Sequence, residues 1–439
     1  MSWITVFVAV ILAVFSYCFD KKIYNPITLF CGIWAFVVFM ASLHLYGMVK
    51  VSDAAYVIIL VGIICFSLGG FIASMAKNRI VIRSSRTKKI KEYVINYRIV
   101  YIVGGIVLIY LIVESITAFI AYRSGIQMNE LRSSMMGYSD TGYASGMSVL
   151  RQGPLALVYS FVFLPGFYSL LLVTSVDIVV GKRNKILIFM SILAVALKNY
   201  AEGSRMCLTH LALYFMLLFF IYKRGVLSKK AKKWIIRGVV LVVIVFLIVS
   251  NIRFSTSQKT MAEQLYLYLT CSIPLFDYWL GFEKATGIYT YGAVSLLGLL
   301  RLPCNILKIF GITVPTVILN NANVVATNWD NFVNIGPHLN YNSYATMFMY
   351  FYKDAGMIGI IMGSFIFGFV VMRVYKRLNK TLAKGEIPLR LTYIYVLLGC
   401  FVIQSYIRFF FSRTDYAMIL YYALIFFKRK KNINEQRDL

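Results

Sequence analysis

Apolar residues along this chain come in blocks of about 17 to 25, and each block is long enough for a helix to cross a hydrocarbon core of roughly 30 Å. The blocks predict helices at 2–19, 27–46, 54–76, 99–122, 154–180, 186–201, 206–222, 234–250, 344–372, 389–408 and 412–427. Barrel strands would read instead as alternating segments of about ten residues, and only helices and closed barrels satisfy their backbone in lipid. The expected fold is therefore an all-α polytopic integral membrane protein with about eleven transmembrane helices, one membrane domain over residues 1–439. Composition agrees: 60% of residues are hydrophobic and 14% charged, with a mean hydropathy of +0.75, whereas soluble domains are nearer half apolar.

Eleven crossings place the loops alternately on two sides. One side collects Lys21 and Lys22, the cluster from Lys77 to Arg98, "KRNK" at 182–185, "KRGVLSKKAKK" at 223–233, "RVYKRLNK" at 373–380 and the "KRKK" tail at 428–431. That side holds 31 Lys and Arg against 14 on the other. By the positive-inside rule it is cytoplasmic, with the N-terminus outside and the C-terminus inside. The net charge of +28 is then a topology signal, and no nucleic-acid partner is expected. The first helix lacks a basic n-region and a small-residue cleavage site, so it reads as an anchor. The seven cysteines form no C-x-x-C pair and read as buried thiols, with an outer Cys271–Cys304 disulfide left open.

The stretch "KNYAEGSRMCLTH", Lys198 to His210, puts charge between two apolar arms. Residues 186–201 rise roughly 24 Å and 206–222 roughly 26 Å, so the "AEGSR" turn is expected at or just below the outer interface. The final hairpin repeats this, with Arg408 and Arg413 at its turn. Arg205, Arg408 and Arg413 are expected on the floor of an outward-open cavity, since charge within a membrane usually faces water, an ion path or a substrate. Against this stand interfacial snorkelling of Arg205 and pairing of Lys198 with Glu202, or Glu202 with Arg205, at helical spacing. The outer side carries eight Arg and six Lys, the inner side twelve and nineteen. Because Arg grips phosphate bidentately, the outer enrichment suggests a phosphate-bearing ligand.

The largest external piece is 251–343, in which 266–282 and 295–312 are apolar but interrupted by Asp277, Arg301 and prolines. These read as interfacial or re-entrant helices, or as two further crossings. Within this loop lies "PTVILNNAN" (Pro315–Asn323), and after it comes "TMFMYFYKDAGMIG" (Thr346–Gly359). Together with "GSR" in the short hairpin and "LR" at 131–132, this order resembles the Wzy-type oligosaccharide repeat-unit polymerases of O-antigen and capsule pathways. The resemblance covers most of the chain by layout and is most specific at "GSR" and "DAGMIG".

It implies a glycosyltransferase C-like membrane fold and polymerisation of undecaprenyl-pyrophosphate-linked oligosaccharides at the outer face of the membrane. It also implies a setting with a flippase and a chain-length regulator. Arg205 matches the family's hairpin arginine and Asp354 its acidic position before Gly-x-x-Gly. Related O-antigen ligases carry a His-Asn pair eleven residues before the first of those glycines. Here Ala345 and Thr346 occupy that place, and His338 lies seven residues earlier.

Such chemistry needs cations for the departing pyrophosphate and a base for the attacking hydroxyl. The expected catalytic residues are Arg205, Asp354, His338 and Glu202. Substrate binding is expected at Arg132, Arg253, Arg301, Arg408, Arg413 and Asp330, and the remaining outer acids Asp277 and Glu283 are further candidates for the base. There is no Asp-x-Asp pair to bridge a divalent metal, so arginine is expected in the metal's place, with no cofactor. His210 and Glu114 read as hydrogen-bonded or ion-paired within the bundle, and Trp329 and Tyr341 as aromatics that could stack on sugars. The competing expectations are a ligase-like transferase and a lipid-linked oligosaccharide flippase. The missing internal repeat and the concentration of polar residues on the outer face weigh against the transporter.

Overall fold

The computed structural model describes residues 1–76, 93–127, 130–131, 153–203, 205–222, parts of 233–244, 260–313, 315–342 and 344–430. Its helices, in chain order, are α1 (Ser2–Asp20), α2 (Pro26–Ser42), α3 (Asp53–Met75), α4 (Tyr97–Arg123) and α5 (Gly153–Val158, continuing to Val180). They continue as α6 (Lys185–Glu202), α7 (Arg205–Tyr222), α8 (Met261–Thr270), α9 (Ser272–Thr286), α10 (Ala293–Ile309) and α11 (Thr316–Asn328). The last are α12 (Thr346–Leu382), α13 (Leu389–Ile403) and α14 (Thr414–Ile425). Among the described residues seven helices are long and apolar enough to cross a membrane. The described residues are thus overwhelmingly helical, and the chain has membrane character.

Ten of these fourteen helices coincide with the predicted blocks, with informative exceptions. Residues 234–250 lie mostly outside the described residues. The block 27–46 ends as helix at Ser42, and 412–427 is helical only over Thr414–Ile425. The segment 251–343, expected as an external loop, holds four helices, α8 to α11, of 10, 15, 17 and 13 residues. At 1.5 Å per residue the longest rises only about 25 Å.

Contacts divide the chain into two compact units. Unit 1 comprises Met1–Val81, Lys259–Lys380 and Leu398–Ala417, and unit 2 comprises Ile82–Gln258, Thr381–Leu397 and Met418–Leu439.

In unit 1 the N-terminal amino group lies 3.1 Å from Asp53, so α1 and α3 start at one end. At the other end Tyr375 of α12 donates to Asp20, and Lys376 donates to the carbonyl of Ser74. Lys21, Lys22 and the basic end of α12 therefore share one end of the unit. Helices α8 and α9 cover the other: Ser52 donates its backbone N–H to Asp277 at 2.7 Å, and Tyr266 of α8 donates to the Met40 carbonyl at 2.9 Å. The core between them is aromatic. Phe30 stacks on Phe66 at 3.8 Å, Trp34 lies 4.6 Å from Phe348, and the Trp34 indole donates to Ser405. Within lipid such packing supplies the association that water would otherwise drive. Gly69 and Gly368 make it close, since a Cβ at either would fall 2.1 Å from a carbonyl oxygen of the opposing helix.

In unit 2, α4 packs along α6 and α5 along α7. The α5 helix contains a π-helical turn at Tyr159–Phe163, where Phe163 stacks on Tyr110 of α4 at 4.3 Å. Tyr93–Ile95 pairs antiparallel with Phe427–Arg429, tying the start of α4 to the end of α14.

Candidate functional site

Three of the expected ligand arginines come together in unit 1. Arg301 is carried by α10, while Arg408 and Arg413 flank the tight turn Phe410–Ser412 between α13 and α14. Gly298 lets α10 sit backbone to backbone on that turn: a Cβ there would fall 2.4 Å from the Arg413 carbonyl oxygen. Asp330, just after α11, faces two of the guanidinium groups, with Arg408 Nη2 at 3.9 Å and Arg413 Nη1 at 3.7 Å. Arg413 also pairs with Asp415 at 3.5 Å, and Arg301 donates to Thr414 at 3.4 Å.

The electrostatics follow from this crowding. Burial and the like charge of Arg413 pull the Arg301 guanidinium below its ordinary pKa. Asp415, with Asp330 behind it, holds Arg413 above its own. Both remain cations at neutral pH, and among the described residues three guanidinium groups stand here against two carboxylates. Arg413 is 43% exposed and Asp330 27%, so an anion arriving from outside can reach them.

Asp354 has a different environment from a solvent-facing base. Its carboxylate accepts from Thr290 Oγ1 at 2.6 Å and from the backbone N–H groups of Val294 and Ser295 at 3.1 and 3.2 Å. It therefore caps the N-terminus of α10, the helix that carries Arg301, where unpaired N–H groups and the helix dipole favour an anion. Beside it Lys353 and Glu283 form a buried ion pair. The helix α12 breaks immediately afterwards, with Gly356 at φ 58° and ψ −139°, a conformation nearly confined to glycine. Gly359 completes the break, because a Cβ there would lie 1.9 Å from the Phe351 carbonyl oxygen. The "DAGMIG" signature is thus an acidic cap followed by a glycine kink.

Asp354→Asn should accordingly act on stability. Exchanging the carboxylate for an amide replaces charge-assisted bonds worth about 1.5–3 kcal/mol each, so thermal unfolding of the purified protein should shift down. A variant that melts like the wild type yet is inactive would return Asp354 to the role of base.

The other expected residues fall into distinct settings. Glu202 is buried in unit 2 and ion-paired, with Lys198 Nζ 2.6 Å from its carboxylate. Lys198 also lies 3.8 Å from Glu114, which accepts from Tyr110. Glu114 thus pairs across helices with Lys198. Arg205 opens α7 and is partly exposed. His210 bonds the Met206 carbonyl of its own helix at 2.9 Å and packs against the Tyr168 and Tyr214 rings.

In unit 1, His338 is exposed, with φ 59°, in the turn of the short hairpin Val333–Tyr341. Asp277 caps α3 through Ser52, and Glu283 is buried against Lys353. Trp329 is buried, edge-on to Tyr350 at 4.8 Å, so it serves packing and offers no open stacking face; Tyr341 is half-buried on Tyr268. All seven cysteines are free thiols. Arg132 and Arg253 lie outside the described residues. Of the acids and His338 considered as bases, Glu202, Glu283 and Asp354 are buried, Asp277 and Asp330 are half-buried and His338 is exposed. What sequence reasoning missed is Thr414 and Asp415, next to Arg413 at the start of α14, whose alternation with an arginine in "SRTD" is the available signal.

Comparison of the chain with protein-family models, with curated proteins and with solved structures returns no match.

Proposed function

We propose that this protein is a membrane glycosyltransferase that polymerises undecaprenyl-pyrophosphate-linked oligosaccharide repeat units at the outer face of a bacterial cytoplasmic membrane. The observation that carries the proposal is the cluster of Arg301, Arg408 and Arg413 about Asp330. It supplies cationic donors, in excess of carboxylate, in a chain otherwise built for lipid. The order of the "GSR" and "DAGMIG" stretches supplies the substrate class by resemblance.

In this reading the pyrophosphate of one lipid-linked unit rests among the arginines. A sugar hydroxyl of the second unit attacks the anomeric carbon and gives its proton to a general base, the bond from that carbon to the phosphate oxygen breaks, and the lipid pyrophosphate departs with the electron pair. Charge grows on the leaving phosphates, where preorganised guanidinium groups stabilise it. Asp330 holds Arg408 and Arg413 in place before substrate arrives, and Asp354 holds α10, and through it Arg301, as a positioning residue. By the family's pattern Arg205, in unit 2, is a separate candidate for gripping pyrophosphate.

The test is a reconstituted assay in which purified protein in liposomes receives lipid-linked repeat units and the products are resolved by length. Wild-type protein should make ladders of many units. Arg413→Ala should lose one charge-assisted contact of about 1.5–3 kcal/mol, roughly tenfold or more in rate. If wild-type protein leaves single units unchanged but moves them across the bilayer, the flippase reading replaces this one.

A further inference from the structure

We infer that the basic end of unit 1 holds a binding site for the headgroup of an anionic phospholipid. A cavity of about 230 Å³ opens there between α1, α2, α3 and α12. Its walls divide by chemistry. Phe19, Phe71 and Met372 make an apolar side, and Lys22, Lys376 and Asn379 a polar rim.

The charges on the rim are unequally matched. Asp20 accepts from Asn25 at 3.1 Å and from Tyr375, and it faces Lys22 at 3.7 Å. Lys22 donates in addition to Asn379 at 3.0 Å. Those two opposite charges balance. Lys376 instead donates to the Ser74 carbonyl, a neutral group, so that contact leaves its charge uncompensated, and Arg373 one turn earlier adds to the positive potential. A half-open cavity with a cation on its rim and hydrocarbon on its wall is complementary to a phosphate joined to acyl chains.

The adjoining surface identifies the source of that phosphate as lipid. The outward face of α1 is apolar to its end, with Phe7, Phe15 and Phe19 exposed by 66%, 57% and 77%. Acyl chains lying along that face would place their headgroup at the level of Asp20 and Lys22, where the helix ends. Lysines there reach the interface in any case, and the cavity converts that tendency into a defined seat.

The experiment uses the full-length protein, delipidated in a neutral detergent, with phosphatidylglycerol or phosphatidylcholine added and bound lipid counted by native mass spectrometry. Phosphatidylglycerol should bind preferentially. Lys376→Gln should weaken it about fivefold, the effect of one lysine near an anionic surface, Lys22→Gln by less, and Lys376→Arg should retain it. Melting each variant without lipid first establishes that it is folded. Equal binding of the two lipids, or undiminished phosphatidylglycerol binding by a folded Lys376→Gln, overturns the site. Inorganic phosphate competing as effectively as short-chain phosphatidylglycerol would overturn the lipid assignment, because the apolar wall would then contribute nothing. Polymerisation need not be measured, so the result stands apart from the proposed function.

Discussion

Protein carrying Lys198→Met is expected to be destabilised by about 3–5 kcal/mol, the usual cost of removing one partner from a buried ionic cluster. Lys198 is 2% exposed, with its ammonium 2.6 Å from Glu202 and 3.8 Å from Glu114. Methionine fills a similar volume and keeps the apolar stem, so the loss isolates the charge. The two carboxylates would then share a dry site without the cation between them, and each must either stay ionised there or take up a proton, both unfavourable. Removing all three charges together, as Lys198→Met with Glu114→Gln and Glu202→Gln, should recover much of the loss, because neutral replacements of buried ion clusters are often tolerated. Thermal unfolding in detergent and membrane abundance measure both variants. A single variant as stable as the wild type would mean that the cluster is solvated, and Glu202 would again be free to act as a base.

Arg205→Lys is the second large effect, and it falls on activity. If Arg205 grips the departing pyrophosphate, its planar fork of donors matters as well as its charge, and lysine offers only a point charge. Losing a contact that strengthens as charge develops should cost about 2.7–4 kcal/mol, or 10²–10³ in rate, the range for single oxyanion donors. Stability should be nearly unchanged, because Arg205 is partly exposed at the first position of α7. Cells with normal amounts of the variant should display single repeat units where the wild type displays long chains. Normal chains from Arg205→Lys would make it an interfacial anchor and leave the work to Arg301, Arg408 and Arg413. The contrast between these two variants, seven residues apart, separates structure from chemistry within one hairpin.

The sequence by itself determined the helices. Lipid leaves the backbone no alternative, so a block of apolar residues translates directly into a helix, and the blocks for α1, α3, α4, α5, α7, α12 and α13 each correspond to a candidate span. It also contained the Lys198–Glu202 pair, because an i,i+4 spacing on a helix is a local distance. The break in α12 was less plain: Asp-Ala-Gly in an apolar run marks a weak point, but whether the helix yields there depends on what it meets.

What it meets is a matter of tertiary structure alone. The partners of Asp354 are Thr290, Val294 and Ser295, about 60 residues earlier, and only their convergence turns an apparent base into a helix cap. Glu114 finds Lys198 across 84 residues on the neighbouring helix, and Arg301 reaches Thr414 across 113. Periodicity reports which face of a helix is apolar, but the register and angle at which two apolar helices cross are set by packing. A residue such as Gly298 fixes that crossing by having no side chain, so nothing in its own neighbourhood of the sequence announces which backbone will lie against it.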